Sequence, residues 1–199
     1  TVLAGSNGLD FVVTRLLPNG TVDPAFNGGA VRTISFGAAA AVDSAADVAV
    51  LADGTILVAG TAFIGADNDF ALARVSADGA TVTTNTHDFA GAGSNEIGQG
   101  VAFNPANGLI YVSGSDTTGN SIAVASFLND ATLAFQTDAT VQIAATPSAG
   151  VGVSVAPDGR VFVAGSGFSG GRSGPQAARA KRAAIADRVR RGVMPTSPR

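Results

Sequence analysis

Three stretches of the chain share one pattern of apolar and polar positions. They read "VLADGTILVAG" at 50–60, "FNPANGLIYVSG" at 103–114 and "VAPDGRVFVAG" at 155–165. In each, an apolar run stops at Asp-Gly or Asn-Gly and a second apolar run closes on a glycine. Asp-Gly and Asn-Gly between such runs are the strongest short signals of a tight β-hairpin, because glycine takes the positive φ of the turn at little cost. The hairpin glycines are therefore Gly54, Gly108 and Gly159, with Gly79 after Asp78 in the same role.

The closing glycines, Gly5, Gly60, Gly114 and Gly165, are spaced by 55, 54 and 51 residues. A second family lies between them: "DFVVTRLLPNG" at 10–20, "DFALARVSADG" at 69–79 and a divergent copy, "IAVASFLNDA", at 122–131. Phe36, Phe89 and Ile143 form a third series with nearly the same spacing. A fixed period of this size signals stacked repeats. One unit, about 47–96, reads as four short strands, the first and last pairs joined by Asp-Gly turns and the middle two by a loop over 64–68, which is an antiparallel meander. Strands that are apolar nearly throughout, such as "ILVAG" and "VFVAG", fit a sheet covered on both faces. The expected fold class is all-β, with β-propeller-like four-stranded blades.

The expected organisation is a partial first blade over 1–46, a second over 47–96, a third over 97–150, the start of a fourth over 151–171, and a basic tail over 172–199. That gives three strands, two complete blades and two further strands, whereas propellers close with 4–8 blades. The arc is therefore expected to be an unclosed fragment, whose uncovered faces and edges invite self-association. The opening "TVLAGSNG", with neither methionine nor a signal pattern, reads as the interior of a longer chain.

"DFALARVSADG", followed within about 54 residues by "VAFNPANGLIYVSG" or "VSVAPDGRVFVAG", resembles the delta-60-type β-propeller repeat, as does "RLLPNGTVDPAFNGGAVRT" at 15–33. The resemblance covers residues 1 to about 170. It departs in the third copy, where Ile122 and Asn129-Asp130 replace Asp-Phe and Asp-Gly. It implies a large bacterial extracytoplasmic protein, secreted or at the cell surface.

Composition changes this picture in two places. There is no cysteine, which excludes disulfides and thiolate chemistry, and no apolar run is long enough for a membrane helix. Up to Gly171 there are 4 arginines against 14 acids; from Arg172 there are 8 basic residues against Asp187. The tail "RSGPQAARAKRAAIADRVRRGVMPTSPR" has a helix-like composition over 176–191, and a frame change in GC-rich coding DNA would produce the same enrichment. Nucleic acid is not an expected partner, since the body carries net negative charge.

Candidate chemistry is sparse. "GSGFSG" at 165–170 matches a dinucleotide fingerprint and "GFSGG" a nucleophile elbow. The equivalent connections "GTAFIG" and "GSDTTG" carry the glycines without either motif, and no histidine follows Ser169. His87 is the sole histidine and is expected to be a solvated residue of an outer strand. The longer connections, expected on one face, hold Asp43, Asp47, Asp67, Asp69, Glu96 and Asp116 with Asn68, Asn95 and Asn120. Oxygen ligands of this kind suit a hard cation such as Ca²⁺, and Asp67, Asp69 and Asp116 are the candidate metal ligands. The competing reading is turn-forming and solubilising chemistry. No other cofactor is expected.

The functional expectation is a non-enzymatic structural or binding module, presenting its loop face to a protein or glycan. The alternative is a propeller hydrolase or lyase with a carboxylate or metal site on that face.

Overall fold

A computed structural model of the chain describes residues 1–37, 41–89, 91, 93–117, 121–141 and 148–167. The tail from 172, its helix-like segment and Ser169 lie outside the described residues. Among the described residues, thirteen strands form four antiparallel sheets, and the lone helical element is a 3₁₀ turn at Asn27–Gly29. Blade 1 comprises β1 (Val2–Ser6), β2 (Phe11–Arg15) and β3 (Arg32–Ile34). Blade 2 comprises β4 (Ser44–Val50), β5 (Ile56–Ile64), β6 (Asp67–Val75) and β7 (Val82–His87). Blade 3 comprises β8 (Glu96–Asn104), β9 (Leu109–Asp116), β10 (Ser121–Leu128) and β11 (Phe135–Val141). Blade 4 shows β12 (Ser148–Val155) and β13 (Val161–Gly167). Strands neighbouring in sequence pair throughout, so each sheet is a meander.

The first strands of successive blades pack on one another, β4 on β8 and β8 on β12, and the second strand of each packs on the first of the next. The fold is thus all-β, built of β-propeller-type blades. Apolar alternation explains how one strand serves two neighbours. From β5, Ile56, Val58 and Ala62 join Phe11, Val13, Phe26 and Ile34 of blade 1. Leu57 and Ala59 of the same strand join Val101, Ile110, Val112 and Phe127 of blade 3. Burying each of the larger side chains contributes roughly 1.5–3 kcal/mol, so a central blade owes its stability to both interfaces.

The closing glycine is a socket. A Cβ on Gly60 would lie 2.0 Å from the Ser44 carbonyl oxygen and 2.8 Å from the ring of Phe11. A Cβ on Gly114 would lie 1.9 Å from the Ile97 oxygen and 2.8 Å from Phe70. The phenylalanine of each Asp-Phe pair therefore seats on the glycine of the following blade. Phe36 and Phe89 brace those rings edge-on, at 4.7 and 4.9 Å between centroids. Beside the sockets, Ala59 and Ser113 are fully buried, whereas Ala164 on β13 is exposed.

The hairpin glycines Gly54, Gly79, Gly108 and Gly159 have φ between 71° and 84°. In each turn the preceding Asp or Asn accepts the N–H two residues on: Asp53 from Thr55, Asp78 from Ala80, Asn107 from Leu109 and Asp158 from Arg160. The divergent copy solves its turn differently. Asp130 accepts from Thr132 and Leu133, and Leu133 takes φ 48° with its side chain in the core.

Candidate functional site

Of the acids expected in loops, Asp43 lies in the connection before β4, whereas the others belong to strands, and most are buried. The β5–β6 connection is just Gly65 and Ala66, with Ile64 paired to Asp67. Asp67 and Asp69 therefore belong to β6, Asp47 to β4, Asp116 ends β9 and Glu96 opens β8. Asp67, Asp69 and Asp116 are each 6 % exposed, and Asp43 and Glu96 are fully buried. Polar residues read as loop, but a two-residue turn leaves them no loop to occupy.

At the interface of blades 1 and 2, Asp43 is saturated by backbone amides: its Oδ2 accepts from Phe36 at 3.0 Å and its Oδ1 from Phe63 at 3.2 Å. Asp47 also bridges blades, accepting the Val101 N–H at 2.9 Å. These two carboxylates have structural work that holds the blades in register.

Between blades 2 and 3 the arrangement differs. Asp69 from β6, Asp88 just after β7 and Glu96 at the start of β8 bring one carboxylate oxygen each within 4.8 Å of one another. Both Glu96 carboxylate oxygens and Asp69 Oδ1 are buried without a hydrogen-bond partner. The Ser94 hydroxyl, two residues before Glu96, donates towards Asp88 at 3.2 Å and the Gly91 carbonyl at 3.1 Å. Burial pushes Glu96 up to about 7, with Asp88, Asp69 and Asp116 adding repulsion and Ser94 opposing it. Burial likewise raises Asp69 to about 6, reinforced by Asp88 and Asp67.

Of the three candidate ligands, then, Asp69 sits in the convergent group. Asp67 and Asp116 flank it: Asp67 accepts the Gly93 N–H, and Asp116 is the cross-strand neighbour of Glu96. The sequence does not single out Asp88, and Glu96 reads there as one loop acid among several.

The same end of the blades carries an open groove of about 600 Å³. Val42, Phe63 and Ile97 rim it with exposed apolar surface, and Thr61, Asn68 and Gln99 add polar edges. Asn68 is fixed by a hydrogen bond to the Asn95 side chain at 3.0 Å, which ties the rim of blade 2 to that of blade 3.

His87 is not the solvated residue expected. Its ring stacks on Phe135 at 4.0 Å, meets Phe89 edge-on at 4.6 Å, and its Nε2 lies 2.9 Å from Asp138 Oδ2. It lies on the outer strand, as expected, but the neighbouring blade's outer strand supplies a flat ring and a carboxylate that cover it.

A family model described as a domain of unknown function (DUF5122) beta-propeller matches residues 2–26 and 51–81. Those residues carry the β1–β2 and β5–β6 hairpins with their turns. No curated protein matches the chain. Among the described residues, no helix is long and apolar enough to cross a membrane.

Proposed function

We propose that the chain is a delta-60-type propeller segment that acts as a non-enzymatic binding module of a bacterial secreted or surface protein, taking a protein or glycan partner at the end of the blades that carries the groove. The observation that carries this reading is the rim itself. Val42, Phe63 and Ile97 are 57, 39 and 41 % exposed along one groove, beside the middle strands β5, β6, β9 and β10 that are otherwise mostly buried. Clustered exposed apolar surface with a polar border is what a recognition surface offers. The repeat resemblance and the family match over two hairpins support the propeller assignment, and the resemblance alone supports the bacterial extracytoplasmic placement.

The buried carboxylates argue for binding over catalysis. Glu96 and Asp69 have altered proton affinity but are buried and do not line the groove, so a substrate lying there does not reach them. The test is capture of glycans on an array and of surface proteins by crosslinking, with the intact chain and with Phe63→Asp and Ile97→Asp. The expected result is at least a tenfold loss of captured partner in both variants at unchanged melting temperature. Capture indifferent to both substitutions would overturn the assignment of the face, and turnover of a captured glycan or ester would overturn the non-enzymatic reading.

A further inference from the structure

The repeat provides an internal comparison for the buried acids. Aligned on the phenylalanine and glycine of each unit, Asp69, Asp88 and Glu96 correspond to Asp10, Ser35 and Asp43 one unit earlier, and to Ser121, Gln142 and Ser148 one unit later. All three positions are acidic in one unit alone. Where a single buried acid occurs, at Asp43, two backbone amides satisfy it. Glu96 lies in the corresponding place with neither oxygen partnered, and Asp69 and Asp88 aim further carboxylate oxygens at it. The amide that would correspond to that of Phe63, Thr117 N–H, instead donates to the Asn95 carbonyl at 2.9 Å.

Uncompensated burial of one carboxylate is costly, and converging three multiplies the cost. Two oxygens that ligate one Ca²⁺ at about 2.3–2.6 Å lie no more than about 5 Å apart, a limit that the separations within this group meet. Asp88 is the most exposed of the three, and so supplies the side from which an ion and its remaining waters enter.

We infer that Asp69, Asp88 and Glu96 form a Ca²⁺ site that clamps blade 2 to blade 3 where the chain crosses from one to the other. Two ligands come from blade 2 and its exit, and the third opens the first strand of blade 3. The ion therefore ties both ends of the crossover. This inference goes beyond the partner-binding reading and does not depend on it, since the test below contains no partner.

The full chain is stripped with EDTA, dialysed and titrated with CaCl₂ near pH 7.5 by calorimetry, and its melting is followed with and without millimolar Ca²⁺. The expected result is one ion per chain and a raised melting temperature. Glu96→Gln, which keeps the shape of the side chain, binds at least tenfold more weakly and loses the Ca²⁺-dependent rise. Asp10→Asn, at the matching place one unit earlier, leaves both unchanged. Should Glu96→Gln not fold, Asp88→Asn gives the same reading from a more exposed position: weakened binding supports the site, undiminished binding overturns it. Absence of heat with an unchanged melting temperature at millimolar Ca²⁺ overturns it too, as does undiminished binding in Glu96→Gln.

Discussion

A single hydrogen atom separates the two fates of the closing glycine. At Gly60 a methyl group would overlap the Ser44 oxygen and the Phe11 ring, whereas at Gly5, the same place in the motif, nothing lies within 4 Å of the added carbon. Gly60→Ala is expected to cost about 3 kcal/mol or more, since neither a backbone carbonyl nor a wedged ring can yield. Gly5→Ala should leave the urea midpoint essentially unmoved. Equal loss in both would show that the socket is not what the glycine serves. The turn residues were legible from the sequence because their bonds are local: an Asp or Asn side chain capping the amide two residues on needs no knowledge of the rest of the fold. The socket was legible only as a spacing. The ring that fills it comes from 49 residues upstream for Gly60 and 44 for Gly114, so the sequence indicates that the glycine recurs but not what it receives.

The strands show where periodicity misleads. Asp67 and Asp69 look like loop residues because they are charged, yet they extend β6 to a two-residue turn and lie buried. Asp88 carries no signal of its own in the sequence because its meaning depends on the crossover that returns the chain to Glu96. The signal that could have found the group is the alignment of units, in which three acids replace an acid–serine–acid set. These groups also set a pH dependence. In metal-free protein, Glu96 and Asp69 hold their protons more tightly folded than unfolded, the latter titrating near 4. Folding then takes up protons, and stability falls as pH rises from about 4 through 6 and 7. The carboxylates of Asp67, Asp88 and Asp116, which face the pair, add to the repulsion. The turn acids act with the opposite sign. Backbone amides lower Asp53 and Asp158, and the Ser76 hydroxyl lowers Asp78, so their contribution is present above about 4 and lost as pH falls through their depressed values. Urea midpoints in EDTA should therefore peak near pH 4–5 and decline towards pH 8, and Glu96→Gln should flatten the decline. A midpoint that rises steadily from pH 5 to 8 would contradict the assignment.

At the scale of the molecule, blades 2 and 3 are fastened at three radii. First strands share the inner contact, apolar side chains fill the middle, and His87 with Phe135 and Asp138 joins the outer strands. Aromatic stacking of this kind contributes about 0.5–1.5 kcal/mol, and an ion pair as exposed as Asp138 less than about 1. His87→Ala is expected to lower stability by about 1–2 kcal/mol and Asp138→Ala by less than half of that, read from urea denaturation; a larger effect of Asp138 would mean that charge, not stacking, closes the rim. The propeller class followed from the repeat because hairpins and two-sided apolar strands are declared within one unit. The fastenings did not, since each pairs residues from two units.

Within blade 2 the socket glycine comes first and the wedge phenylalanine second: Gly60 receives Phe11 of blade 1, and Phe70 fills the socket at Gly114 of blade 3. Each unit thus carries a plug for its successor and a receptacle for its predecessor, both of standard shape. Copying or deleting one whole unit leaves every remaining plug facing a matching receptacle. A gene built this way can change its number of units by unequal recombination without redesigning any junction, and it tolerates local departures such as Ile122 for phenylalanine while the length of the array drifts.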